Sequence, residues 1–165
     1  LGLPDKRSEL IDWNFRLEHL MQMCRDACMK LWEVRRQRIA LATRHVLPIY
    51  VYTYELPAEG DQIYGRMNRA MRLGDEAEIE QWRPLIWQLD QALGLLPPYQ
   101  GLLYRGITAR FNADEYRQGQ QVCWPAFSSA SSEKSVAQEF VKADEGTLFF
   151  VTSDRSRCVS KFSRF

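Results

Sequence analysis

The sequence predicts an α+β fold, and three observations carry the prediction. Before Pro97-Pro98, apolar residues recur at three- and four-residue spacings, the period of amphipathic helices. After Gly101 the pattern changes to short runs rich in β-branched and aromatic residues, the composition of strands. Helices therefore come first and strands second, the order of an α+β domain. A chain of 165 residues, 45% hydrophobic and 26% charged, can bury a core and fits one soluble domain, or one domain with a small helical extension.

Taken in order, the first helical block runs from Ser8 to about Arg44 in two segments, with Leu10, Ile11, Trp13, Leu17, Leu20, Met21, Cys24, Cys28, Leu31 and Trp32 as its apolar face. Arg35, Arg36, Arg38 and Arg44 form a basic stretch. Such a run either touches phosphate or an acidic partner or, more commonly, is a solvated helix face. The character changes near residue 46, so residues 1–45 read as an N-terminal helical extension and 46–165 as the main domain. A second helical block spans about Asp61 to Leu96. Its stripe is Tyr64, Met67 and Met71, then Ile79, Trp82, Leu85, Ile86, Leu89 and Leu93, and Gly74-Asp75 divides it into two helices. Pro84 suits a helix start or a local kink, and Pro97-Pro98 ends the block. Strands are expected over Leu102–Ile107, Gln120–Trp124, Thr147–Thr152 and Arg157–Ser160. Two helices interrupt them, Phe111–Gln118 capped by Asn112 and Ser132–Val141 capped by Ser132, the latter turning Val136, Ala137, Phe140 and Val141 inward.

Composition narrows the partners. A net charge of +1, from 22 basic and 21 acidic residues, supplies no whole-chain field for nucleic acid or anionic membrane, and neither is expected as a partner. No apolar run is long enough to cross a bilayer, and the opening Leu1-Gly2-Leu3-Pro4-Asp5 has no signal-peptide core. Cys24, Cys28, Cys123 and Cys158 show no C-x-x-C spacing, and His19 and His45 stand far from any paired-ligand spacing, so no metal is expected. Four buried free thiols are the expectation, with an oxidised exterior protein as the alternative. There is no G-x-G-x-x-G after a strand, no P-loop and no histidine beside a Ser or Cys nucleophile signature.

The chemistry concentrates in Leu103-Tyr104-Arg105-Gly106-Ile107 and, about twenty residues later, Phe127-Ser128-Ser129-Ala130-Ser131. A guanidinium fixed at a strand end can make bidentate, charge-assisted bonds to a diphosphate or carboxylate, and Gly106 beside it admits close approach to the backbone. An arginine next to a glycine at a strand end is also commonplace structure. Small hydroxyls at the following turn can bond a ribose hydroxyl or orient a carboxylate, or can cap the next helix, and both roles can hold together.

This order of strand, Arg-Gly, gap, aromatic-x-Ser-x-Ser, helix and strand resembles the R-S-E mono-ADP-ribosyltransferases of eukaryotes and bacterial toxins. The resemblance extends over roughly Val46 to Phe165, through Pro48–Tyr54, Tyr64-Gly65-Arg66-Met67-Asn68 to Gly74-Asp75, the Trp82-Arg83-Pro84 helix, and Leu96-Pro97-Pro98-Tyr99-Gln100-Gly101. It implies a helical N-terminal half packed on a two-sheet β core, with NAD, the substrate, in the cleft between the sheets and a protein acceptor as second partner. In that family Arg105 would hold the NAD diphosphate and Gly106 would bond the nicotinamide amide through its backbone. Ser129 would contact the nicotinamide ribose and steady the catalytic glutamate, and Ser131 would join it in binding the cofactor; Ala130 replaces the commoner threonine. Tyr64 and Asn68 match the helix along the cofactor, although a helix-to-core contact explains Tyr64 equally well. Phe140 would line the nicotinamide side or belong to the core, and Trp124 and Phe127 are expected to pack between the sheets.

The family mechanism cleaves the bond between nicotinamide and ribose through a cationic ribose that a carboxylate stabilises. Glu76-Ala77-Glu78 and Glu78-Ile79-Glu80 precede Arg105, and Glu133, Glu139 and Glu145 precede the last long strand, so none occupies the place of the family's E-x-E turn. Val159–Phe165 resembles the lead-in to that turn. The expectation is a mono-ADP-ribosyltransferase domain without its glutamate, inactive or poorly active alone. The alternatives are a module that binds NAD or a partner without turnover, or an NAD glycohydrolase. Cytoplasmic action is expected, or that of a secreted effector in a host cell.

Overall fold

The computed structural model describes residues 22, 25, 43–55, 62–111, 113–141 and 145–163. Most of the first helical block, the basic stretch from Arg35 to Arg38, Cys24, Cys28 and the cap Asn112 lie outside them. The chain divides into two compact units. One takes residues up to Arg66 with Trp82–Leu95 and Val159–Phe165; the other takes Met67–Gln81 and Leu96–Cys158.

In the first unit, helix α1 spans Thr43–Tyr52 and carries Pro48 inside it. Helix is expected only to about Arg44, and Pro48 and the β-branched residues around it are poor helix formers. Burial outweighs that preference: Val46, Ile49, Tyr50 and Val51 are all buried. The Thr53 hydroxyl closes the last turn by donating toward the carbonyls of Ile49, at 3.0 Å, and Tyr50, at 3.2 Å. Tyr52 meets Tyr64 edge to face, with ring centres 6.2 Å apart.

Helix α2, Ile63–Leu73, buries Ile63, Met67 and Ala70 along one stripe, and helix α3, Glu76–Gly94, buries Trp82, Leu89 and Ala92. The break expected at Gly74-Asp75 is present, and its mechanism is visible. Gly74 adopts φ +65°, the left-handed conformation that costs glycine little, and the Asp75 N–H bonds back to the Ala70 carbonyl at 3.1 Å. Asp75 Oδ1 then accepts the Glu78 N–H at 3.1 Å, so one residue ends α2 and caps α3. Pro84 lies inside α3 rather than at a helix start, on the exposed side.

The second unit is built on two long antiparallel strands, β1 (Pro98–Ile107) and β2 (Thr147–Arg157), in register from Pro98 opposite Arg157 to Ile107 opposite Thr147. Between Tyr99 and Gly101 the register shifts, and the Ser153 hydroxyl accepts the backbone N–H groups of Arg155 and Ser156 there. These strands form one sheet among the described residues, where two were expected. Residues 120–124 join no ladder; they are exposed and Pro125 follows, while Trp124 is anchored through its ring instead. The expected Arg157–Ser160 strand is absorbed at its start by the end of β2 and turns after Val159.

The helix expected over Phe111–Gln118 shortens to a 3₁₀ turn at Ala113–Tyr116, and that over Ser132–Val141 to α4, Lys134–Gln138. Five residues are too few for a self-supporting helix. α4 is held by buried Ala137 and by the Thr108 hydroxyl, which donates to the Phe140 carbonyl just beyond it at 3.0 Å. Glu133, not Ser132, occupies the N-cap position, and its N–H bonds the Ser131 hydroxyl at 3.0 Å. Among the described residues Cys123 and Cys158 form no disulfide, and they are exposed, contrary to the expectation of burial, because both lie on irregular segments.

Candidate functional site

The end of β1 gathers most of the residues that the sequence singled out. Tyr104 exchanges two backbone hydrogen bonds with Ser131, Tyr104 N–H to the Ser131 carbonyl at 2.7 Å and Ser131 N–H to the Tyr104 carbonyl at 2.8 Å. The serine segment thus lies antiparallel along the edge of β1 remote from β2. In an antiparallel pair, alternate residues direct their N–H and C=O to opposite edges. Gly106, two residues beyond Tyr104, therefore points its backbone groups toward the same edge that Ser131 occupies.

Gly106 is required here for packing. A side-chain carbon at this position would collide with the Ala137 carbonyl of α4, so glycine lets the helix seat directly on the strand. The close backbone approach anticipated at Gly106 is made, on its side-chain face, by the protein's own helix.

Arg105 lies on the opposite face of β1, with buried Leu103, and stands across the ladder from Phe149. Its Nη1 donates to the Ser129 carbonyl at 2.6 Å, a short, charge-assisted bond that joins the two halves of the motif across 24 residues of sequence. The guanidinium carbon sits 5.8 Å from the centre of the Trp124 ring. Trp124 meets Phe149 edge to face at 5.1 Å, and Phe149 also packs on Phe111 and Tyr116. Arg105 thus stands over an aromatic floor made by β2, the 3₁₀ turn and the segment before the serines. Trp124 is 36% exposed, at the rim of this cluster rather than between two sheets.

The remaining site residues fall in different surroundings. The Ser131 hydroxyl accepts the Glu133 N–H in a local turn ahead of α4, while the N-cap residue Glu133 makes no side-chain cap bond, so the capping role expected of this cluster is not made. Phe140 is 61% exposed on the turn after α4, outside the core, while its carbonyl is tied to Thr108 at the end of β1. Asn68 is buried in α2, at 7% exposure. Tyr64 belongs to the first unit, where burial first, then the neighbouring Glu55 and Tyr52, raise its phenol above the ordinary value of 10.0. Among the described residues no cluster of His, Cys, Asp and Glu could hold a metal ion, and no helix is long and apolar enough to cross a membrane.

A family model described as NAD:arginine ADP-ribosyltransferase matches residues 4–165 of this chain. The chain belongs to that family. Mav of Mycobacterium avium (strain 104), a provisionally named NAD(+)-arginine ADP-ribosyltransferase, is 33% identical over 103 residues. That match covers 62% of this chain and 12% of Mav, so the chain spans only a small part of that relative. The crystal structure of the eukaryotic mono-ADP-ribosyltransferase ART2.2 superposes with a TM-score of 0.73 at 24% identity, covering 95% of this chain and 67% of ART2.2. A mutant of ART2.2 in complex with NADH gives 0.72 at 22% identity with the same coverage. Both likenesses show a shared α+β fold.

Within this ADP-ribosyltransferase-family chain, sequence reasoning found the Arg105 and Ser129 pair but missed Trp124 as a neighbour of the arginine. The signal was present in the spacing, Trp124 preceding Phe127-Ser128-Ser129 by a few residues on a segment that must run beside β1. Its aromatic character read instead as generic packing.

Proposed function

We propose that this chain is the NAD-holding part of a protein mono-ADP-ribosyltransferase, and that an arginine side chain of a protein is the acceptor. The observation that carries the reading is the Arg105–Ser129 contact at 2.6 Å beside the outward-facing backbone of Gly106. A guanidinium presents five donors in a rigid fork suited to phosphate oxygens, and here its direction is set by a carbonyl acceptor and its plane lies near an aromatic ring. The outward N–H and C=O of Gly106 match the donor and acceptor of a carboxamide such as that of nicotinamide. The family's description, the name of Mav and the NADH complex of the ART2.2 mutant support the choice of nucleotide and acceptor.

In this reading the glycosidic C–N bond of NAD breaks, nicotinamide leaves with the bonding electrons, and the ribose carbon becomes cationic. A guanidinium nitrogen of the acceptor attacks that carbon and loses a proton. Arg105 holds the diphosphate throughout, and the Ser129 hydroxyl contacts the nicotinamide ribose. The transition state needs a carboxylate near the cation, in surroundings where charge is poorly screened. Glu76 and Glu80 are exposed on α3, and Glu133 sits at the start of α4. None of them stands on a turn after β2.

The test is NAD binding by the protein and its release of nicotinamide from NAD, with an arginine-containing acceptor present and absent. Release that rises with acceptor supports the transferase. Release indifferent to acceptor makes it a glycohydrolase, and NAD binding without release leaves a binding module.

A further inference from the structure

The path between the two halves of the motif converges on one side chain of β2, Phe149. From Thr108 to Ser129 the chain carries a single short element among the described residues, the 3₁₀ turn Ala113–Tyr116, so its course depends on tertiary contacts. Three of its rings meet Phe149: Phe111 at 5.5 Å and an interplanar angle of 67°, Tyr116 at 5.2 Å and 52°, and Trp124 at 5.1 Å and 73°. These are the tilted and edge-to-face arrangements that aromatic pairs prefer. Phe111 and Tyr116 also meet edge to face at 5.1 Å, and the Trp124 indole N–H donates to the Tyr116 hydroxyl at 3.1 Å. The three rings are thus tied to one another as well as to Phe149.

Trp124 stands five residues before Ser129, and Pro125 follows it. A proline fixes its own φ and confines the residue before it to extended backbone, so an anchored Trp124 passes a defined direction into the serine segment. Phe149 is also the ladder partner of Arg105. One residue of β2 therefore pairs with Arg105 through its backbone and, through its ring, anchors the segment that leads to Ser129. The two effects separate, because strand pairing is made by backbone groups and needs no ring at this position. We propose that Phe149 is a positioning residue for Ser129: its ring holds the Phe111–Trp124 segment on β2 and so sets where the Ser129 hydroxyl meets the nicotinamide ribose. The inference rests on the reading of Ser129 as the ribose contact. It gives Phe149 no contact with NAD. A misplacement of about 1 Å in such a contact is enough to be felt.

The experiment compares Phe149→Leu, Phe149→Tyr, Ser129→Ala and the double variant of Phe149→Leu with Ser129→Ala against the unaltered protein. Phe150→Leu serves as control, since it removes a ring from the same strand on the opposite, 59% exposed side. The readouts are NAD affinity by titration, hydrogen exchange at the Ser131 N–H that bonds the Tyr104 carbonyl, and the thermal midpoint. Phe149→Leu is expected to weaken NAD binding about 3–10-fold, the equivalent of one hydrogen bond, and the Ser131 N–H to lose protection relative to the amides of the β1–β2 ladder. Phe149→Tyr keeps both. Because Phe149 acts through Ser129, the double variant binds NAD no more weakly than Ser129→Ala alone. Phe150→Leu changes the thermal midpoint without changing NAD affinity.

A Phe149→Leu protein with a lower midpoint and unaltered NAD affinity overturns the proposal, because a merely structural ring would give that result. So does a double variant in which the two losses multiply. If Phe149→Leu does not fold, Phe111→Leu, which removes one ring contact from the side of the segment, decides by the same readouts and the same pairing with Ser129→Ala. If the unaltered protein binds no NAD, or Ser129→Ala binds it equally well, the functional reading of Ser129 fails, and exchange at the Ser131 N–H alone decides whether Phe149 places the segment.

Discussion

At the scale of single residues, the serines divide their labour between backbone and side chain. Ser129 reaches Arg105 through its carbonyl, a contact that alanine also makes, whereas Ser131 uses its hydroxyl on Glu133. Ser129→Ala is therefore expected to leave stability within about 0.5 kcal/mol, so that lower NAD affinity in it reports the hydroxyl alone. Ser131→Ala removes one turn hydrogen bond ahead of α4 and is expected to cost about 0.5–1.5 kcal/mol in urea unfolding. Gly106→Ala forces a methyl group against the Ala137 carbonyl, and overpacking of this kind costs about 1–3 kcal/mol. An unchanged urea midpoint would show that α4 does not rest on Gly106.

Tyr64 offers a pH test with a definite sign. Its phenol is raised in the folded state, chiefly by burial, so the neutral form is favoured by folding. The stabilisation is complete below the ordinary value of 10.0 and is lost as pH rises through the higher folded value, because the unfolded chain ionises first. Unfolding midpoints measured across this alkaline range should fall less steeply for Tyr64→Phe than for the unaltered chain. Parallel curves would contradict the assignment.

At the scale of elements, legibility followed the range of the interactions. The break between α2 and α3 was readable because Gly74 and Asp75 complete it within a few residues, by φ +65° and by local bonds to Ala70 and Glu78. Gly74→Ala should cost about 1–2 kcal/mol through the left-handed conformation, and a thermal midpoint equal to that of the unaltered chain would refute this account. Helix α1 was not readable, since Pro48 and Val51 argue locally against helix, and only the burial of Val46, Ile49 and Val51 overrides them. Residues 120–124 carried the composition of a strand, but a strand needs a partner edge, and this segment is fixed by Trp124 on Phe149 instead. Pro84 showed the same limit, because an exposed position in a long helix tolerates what the local rule forbids.

At the scale of the whole molecule, the pair Arg105 and Ser129 stood out in sequence by order and spacing, and the fold closes the 24 residues between them to one hydrogen bond. The aromatic floor was hidden, because Phe111, Tyr116, Trp124 and Phe149 are brought together only by the register of β1 on β2 and the path of the loop between. Membership of the ADP-ribosyltransferase family rests on a match across residues 4–165, while the roles proposed for individual residues are argued from this geometry. The most direct test of the central claim is a calorimetric titration of NAD into residues 1–165, with Arg105→Ala alongside. The account predicts saturable one-to-one binding by the unaltered chain and at least about 10-fold weaker binding by the variant at an unchanged thermal midpoint, the effect of losing a charge-assisted phosphate contact. No saturable binding, or equal affinity in the two proteins, would contradict it.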